Sequence, residues 1–189
     1  MGVLATFDAE GRWADTHVCD GRIAEQLAGL GVVWGRWPDP ESLPATVFGS
    51  RQAELAQLRE RFSAQSIERV RLEPHTATWP ALRRQWRAEH RREGVEVRCV
   101  LSGTHLLYLR TGDGFVGVLC EAGEWVALPA GSSHSFDAGE APELDLLRLW
   151  SGDAAAPMEA ASGASASLPS LDAFVETMLV LTGHAADDE

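Results

Sequence analysis

Hydrophobic and polar positions alternate in two different ways along the chain. In the first half, runs of helical and strand character are interleaved. No single period governs the first 24 or so residues, which carry Phe7 and Trp13 among polar neighbours. A short helix is predicted around Ile23–Leu30, ended by Gly31. Gly31–Trp37 reads as a strand stopped by Pro38 and Pro40. Ser50–Phe62 is a helix, because Leu55, Leu58 and Phe62 recur at helical spacing with charges between them. Val70 and Leu72 alternate with polar residues over Glu68–Leu72, the mark of a strand. Pro80–Ala88 carries Leu82, Trp86 and several arginines and reads as helical or irregular.

From about Glu89 to Trp150 the pattern changes. Short apolar or alternating runs recur at Val95–Leu101, His105–Arg110, Phe115–Leu119, Trp125–Leu128 and Leu144–Trp150. Between them stand turn signals: Ser102-Gly103, Thr111-Gly112-Asp113-Gly114, Ala122-Gly123-Glu124 and Pro129-Ala130-Gly131. Gly103 and Gly112–Gly114 suit tight hairpins. Strands at this spacing with no helix between them predict a mainly β protein, an antiparallel sandwich or barrel with a few flanking α-helices. Residues 1–151 form that domain. Residues 152–167 are an Ala/Ser-rich linker, and 168–183 an amphipathic helix ended by Gly183. Its apolar face (Leu171, Phe174, Val175, Met178, Leu179, Leu181) must dock on the barrel or on a second subunit as a homodimer. The tail after it reads as frayed.

Composition narrows the class. A chain of 189 residues, 45% hydrophobic and 23% charged, matches one soluble domain with a substantial core. No apolar run approaches the roughly 18–20 residues of a membrane span, and the N-terminus has no secretory pattern. Net charge is −12, which argues against nucleic acid and anionic membrane as partners. Cys19, Cys99 and Cys120 have no paired spacing and fit a reducing cytoplasm, the latter two as buried thiols.

The chemistry gathers in the strand-rich half. His17 and His184 read as surface histidines, and His75 as a local turn residue. His90 and Glu96 are six apart, so an extended chain puts both on one face, together with Arg98. A buried imidazole and carboxylate need a partner, and a metal is a natural one. His134 follows the Pro129-Ala130-Gly131 turn, at a barrel mouth. Two histidines and a carboxylate make the facial triad of non-haem Fe(II) sites. His105 lies on the strand after Gly103. It reads as a core or surface histidine, with a further ligand as the alternative.

The spacing Glu96-x6-Gly103 and the run Gly123-x5-Pro129-x-Gly131-x2-His134 resemble the two metal-binding motifs of cupins. More narrowly, the chain resembles the acireductone dioxygenases. The resemblance is carried by Glu89-His90, Glu96-Val97-Arg98, Val118-Leu119-Cys120-Glu121, Pro129-Ala130 and His134-Ser135-Phe136-Asp137, with Gly31-Val32, Arg36-Trp37 and Arg148. It implies a cupin-type antiparallel β-barrel, a double-stranded β-helix, and one divalent metal, Fe(II) or alternatively Ni(II). His90, Glu96 and His134 match three of the family's four ligands. Arg92 stands where the second histidine of an H-x-H pair belongs, and a guanidinium has no lone pair for a metal. The resemblance also assigns Arg98 and Glu89 to catalysis. It assigns Arg98, Arg148, Trp86, Phe136 and Trp150 to binding a small anionic substrate that reacts with O2, and Arg92 is read beside them as a further substrate contact.

Three functions follow from this reading. The first is a metal-dependent dioxygenase that cleaves a C–C bond of an anionic enediol, as in methionine salvage. The second is a divergent cupin enzyme for another small acidic or carbonyl substrate, with Arg92 as a bidentate clamp. The third is a metal-free, non-catalytic cupin in which Arg92 pairs with Glu96.

Overall fold

The computed structural model describes residues 2–37, 50–152, 158–161 and 168–181. In chain order the elements are β1 (Val3–Asp8), β2 (Trp13–His17), α1 (Asp20–Ala28), β3 (Val33–Arg36), α2 (Ser50–Arg61), β4 (Ser66–Leu72) and α3 (Trp79–Arg87). They continue with β5 (His90–Arg91), β6 (Glu96–Arg110), β7 (Gly114–Glu121), β8 (Glu124–Leu128), β9 (His134–Asp137), β10 (Leu144–Trp150), β11 (Glu159–Ala160) and α4 (Leu171–Leu181). The strands and helices expected from Gly31 onward are present, and the architecture is the expected antiparallel one. The roles assigned to Pro38, Pro40, Gly183, His184 and the tail fall outside the described residues.

The barrel turns on β6. Its first half pairs with β8 and β10, its second half with β7 and β9. The two sheets, β3-β8-β6-β10-β4 and β11-β5-β9-β6-β7-β1-β2, therefore share one strand. Two separate strands joined by a hairpin at Ser102-Gly103 were expected, and the structure corrects this. Gly103 sits at φ +79° inside a continuous strand, with its Cα face against the Glu143 carbonyl, where a Cβ would lie 1.7 Å from the oxygen. A register shift against β10 marks the bulge. Its effect is a change of phase. Val100 faces the barrel core before the bulge, and Leu107 and Leu109 after it, whereas Val97 and Cys99 face one outer layer and Leu106 and Tyr108 another.

Three further corrections bear on the site. The first residues form a hairpin, β1 with β2, and β1 extends the sheet beside β7. His90 and Glu96 are not on one extended strand, because residues 92–95 bend between β5 and β6. Within the expected linker, Glu159 and Ala160 pair with Arg91 and His90 as a short strand.

Helix packing follows amphipathicity. α1 buries Ile23 and Leu27 in the core and ends in a Schellman turn, with Gly31 at φ +72° and Val32 N–H donating to the Leu27 carbonyl. α4 docks on the outer face of the β1-side sheet. Leu171, Phe174 and Met178 are buried there against Val3, Ala5, Phe7, Tyr108 and Phe115. Each such side chain contributes on the order of 1.5–3 kcal/mol. Val175, Leu179, Val180 and Leu181 of the same helix stay exposed. Among the described residues no helix is long and apolar enough to cross a membrane.

Candidate functional site

Sheet pairing brings together what the bend after β5 separates. His90 pairs directly with His134 across β5 and β9, and the ring centroids lie 4.4 Å apart. Each imidazole is pinned the same way. His90 Nδ1 is 2.9 Å from the Ala88 carbonyl oxygen, and His134 Nδ1 is 2.9 Å from that of Ser132. A carbonyl only accepts, so each Nδ1 donates there, and a neutral imidazole held this way has its lone pair on Nε2, the tautomer a metal ligand needs. Burial, followed by the neighbouring His134, lowers His90 to about 4, so it is neutral near pH 7.

Glu96 lies across from them, fully buried at the start of β6. Its Oε1 accepts from Arg98 Nε at 2.7 Å and from Arg148 Nε at 2.9 Å. Burial by itself pushes the carboxyl up. The Arg98 and Arg148 guanidiniums outweigh it and hold the group well below the usual carboxylate range. Oε2 accepts no hydrogen bond, and His134 Nε2, equally buried and unpartnered, stands 3.7 Å away. At that distance the two atoms face one another without a normal hydrogen bond.

That donor set suits a divalent cation by its chemistry. Donors sharing one ion at about 2.1 Å sit on the order of 3.0–3.4 Å apart, a little closer than this pair. Consistently, among the described residues no three His, Cys, Asp or Glu side chains are grouped closely enough to hold a metal ion. By donor type the residues suit a divalent ion, and by spacing they do not enclose one. Arg92 Nε is 3.9 Å from Glu96 Oε2.

Aromatic rings frame the arginines. Arg98 lies over Phe136 at 4.9 Å, Arg148 over Trp150 at 4.7 Å and Trp86 at 5.7 Å, and Arg92 over Trp150 at 5.5 Å. Trp86, on α3, meets Phe136 edge-on at 4.9 Å. Between these groups is a void of about 10 Å³ lined by Trp86, His90, Arg98, Phe136, Leu146 and Arg148. It is of the size of one water molecule, so a larger ligand requires the Trp86 wall to give way. Arg98 Nη1 is buried in this region without an acceptor.

Glu89 is placed differently from the other expected site residues. It alternates to the opposite face of the sheet edge from His90. One oxygen accepts from Arg110 Nε and Ser133 Oγ, both at 2.5 Å, and the other from Arg110 Nη2. Ser133 precedes His134 as Glu89 precedes His90, so this clamp holds the two histidine-bearing strands together from outside the cavity. Glu89, expected among the catalytic residues, is thus engaged by Arg110 and Ser133.

His105 is fully buried, its ring 4.9 Å from Phe136, and neither ring nitrogen has a partner among the described residues. Burial, then Arg98, lowers it to about 3. His75 is exposed, and His17 is partly exposed beside Asp15. Sequence reasoning missed Asp137 and Arg83, joined at 2.7 and 3.0 Å, and Glu68, 3.7 Å from Arg148. Alternation along His134–Asp137 was the available signal for Asp137, since it places the acid outside when His134 is inside.

Comparisons with known proteins agree with this architecture. Residues 43–156 match the model of the ARD/ARD' family. An acireductone dioxygenase of Parvibaculum lavamentivorans is 32% identical over 133 residues, 68% of this chain and 72% of that protein. One of Granulibacter bethesdensis is 33% identical over 134 residues, covering 68% and 75%. Acireductone dioxygenase 1 of Nocardia farcinica is 32% identical over 170 residues, covering 81% and 87%. The solved structure of acireductone dioxygenase from Bacillus anthracis with a cadmium ion in its active centre superposes with a TM-score of 0.69 at 18% identity. It covers 80% of this chain and 94% of that one, and shares the fold. With more than half its length matched to the family model and relatives above 30% identity, the chain belongs to the ARD/ARD' family.

Proposed function

We propose that the protein is an acireductone-dioxygenase-type enzyme, in which a small anionic enediol is cleaved at a C–C bond by O2. His90, Glu96 and His134 would hold its divalent metal, Fe(II) or alternatively Ni(II). The observation that carries this reading is the convergence of orphaned lone pairs. Two imidazoles give Nδ1 to main-chain carbonyls, which leaves Nε2 to face the cavity, and a buried carboxylate oxygen opposite them has no normal hydrogen-bond donor. A metal bound there supplies a template and a Lewis acid for the substrate.

The chain's own residues supply the rest. Arg98 and Arg148 hold Glu96 Oε1, leaving Oε2 turned toward His134. Arg98 Nη1 offers an unpaired donor to an anionic oxygen of the substrate, where a buried charge-assisted hydrogen bond is strong. Trp86 and Phe136 wall the cavity, and Trp150 lies against Arg148 and Arg92 beside it. The Glu89–Arg110–Ser133 clamp positions the histidines. The relatives named acireductone dioxygenase support this reaction class.

The test is the metal content of protein purified without chelator or affinity-tag metal, followed by O2 consumption with an acireductone substrate. Stoichiometric metal and substrate-dependent O2 uptake are expected. Persistent absence of metal after reconstitution would sink the proposal. That outcome would favour a second reading, supported by the approach of Arg92 to Glu96 Oε2: a metal-free cupin in which the guanidinium neutralises the carboxylate.

A further inference from the structure

Glu96 is surrounded by three guanidiniums, and they are not equivalent. Arg98 and Arg148 share Oε1 through hydrogen bonds, and their side chains are 3% and 8% exposed. Arg92 addresses the other oxygen, Oε2, at the longer distance of 3.9 Å, and is the most exposed of the three at 12%. It reaches Glu96 from four residues earlier, out of the bend that returns the chain from β5 to β6. Its main chain is tied down, because its carbonyl accepts from Gly131 N–H at 2.8 Å. Its guanidinium shares the Trp150 ring with Arg148. Oε2 is the oxygen that faces His134 Nε2, so the proposed metal and the Arg92 guanidinium seek the same atom.

We infer that Arg92 is a resident counter-cation that competes with the metal for Glu96 Oε2, so that metal entry requires its guanidinium to move away. This rests on the metal reading above. The alternative meaning of Arg92 is passive: a fourth ligand is merely missing.

Charge supports competition. Among the described residues three guanidiniums meet one buried carboxylate at this end of the cavity, and a further acid, Glu68, is half exposed and 3.7 Å from Arg148. Burial lowers Arg92 and Arg98, and Arg148 lowers both further, which is what an overcrowded positive site does. A dication adds to that repulsion. Arg98 and Arg148 are hydrogen-bonded to Glu96, so Arg92, farther from the carboxylate and the least buried of the three, is the group that can relieve it. Arg92 cannot lose its proton instead, since guanidinium stays charged in proteins.

Competition and a missing ligand are separated by replacing Arg92 with a residue that neither ligates nor carries charge. Co(II), followed by its visible absorption and by calorimetry, is the probe, with the full-length chelator-treated protein. Arg92→Ala is expected to bind Co(II) on the order of 10-fold tighter than the wild type, from loss of the like charge alone. Arg92→His is expected to bind tighter still, with a changed absorption band. Arg92→Met keeps the stem over Trp150 and carries the same expectation as Arg92→Ala if that variant folds poorly. Equal or weaker binding by Arg92→Ala and Arg92→Met, with only Arg92→His tighter, overturns the inference and leaves the three-donor reading standing. No Co(II) binding by any of these proteins overturns both.

Discussion

Two buried carboxylates divide the molecule into contrasting regions. Asp137, on the outer face of β9, is satisfied on every side. It accepts two hydrogen bonds from Arg83, one from the Leu171 N–H that opens α4, and one from Gly139 N–H. It ties α3, β9 and α4 into one unit. Glu96, on the inner face of β6, is satisfied on one oxygen only, and near it His134 Nε2, Arg98 Nη1 and both nitrogens of His105 are buried without partners. Both acids are held below the usual carboxylate range. In each case burial pushes upward and guanidinium contacts outweigh it. What differs is completeness. Complete hydrogen bonding is the economy of a structural joint. Unmet buried polarity costs stability and persists where a ligand completes it.

The largest effect is expected at the complete site. Asp137→Ala leaves Arg83 partly buried without its main acceptor and removes the anchor of α4. Chemical denaturation should show a loss of about 3–5 kcal/mol. Metal affinity of the folded fraction should stay near the wild-type value, because no cavity donor touches Asp137. Loss of metal binding in a folded Asp137→Ala protein would erase the distinction between the two regions.

Acid should break the inner region first. His90 and His105 are held to about 4 and about 3, below the ordinary histidine value of 6.5. The unfolded chain therefore takes up protons that the folded chain refuses, and stability falls as pH drops from about 6.5 toward 4. His90 alone accounts for about 3 kcal/mol over that window. Asp137, whose value is lowered, keeps its contribution above its ordinary range near 3.8 and loses it only in stronger acid. Thermal melts of chelator-treated protein between pH 7 and 3 test the order. Flat stability down to pH 4.5 would contradict it.

The smallest effect belongs to His105. Replacing a fully buried imidazole that makes no hydrogen bond by an apolar side chain removes a desolvation cost and little else. His105→Leu is expected to be neutral or more stable by about 1 kcal/mol. A loss beyond about 2 kcal/mol in thermal or urea unfolding would mean that the ring nitrogens have a structural partner and belong with Asp137 instead.

Much of the fold is legible in the sequence. Strands at β7, β8 and β10, the helices α2 and α4, and the turns at Gly31, Gly123 and Gly131 follow from periodicity and turn chemistry, which are local. The N-terminal hairpin was not legible, because β1 and β2 lack a clean period and are held by pairing with β7. The Ser102-Gly103 signal was read as a turn because a glycine at positive φ serves a hairpin and a bulge equally well. Only the Glu143 carbonyl packed against Gly103 decides between them.

The site divides in the same way. The sequence by itself determined the residue types: His90, Glu96 and His134 as candidate donors, Arg92 where the resemblance expects a histidine, and the arginines and aromatics that accompany them. It also determined that Glu96 and Arg98 share a face, because strand parity is local. Tertiary structure decided which lone pairs meet, since His90 reaches His134 by pairing between strands more than 40 residues apart. It also turned Glu89 outward onto Arg110 and Ser133, and left Glu96 Oε2 between His134 and Arg92. Those outcomes depend on which strands pair and in what register, and pairing energies are set by partners distant in the chain.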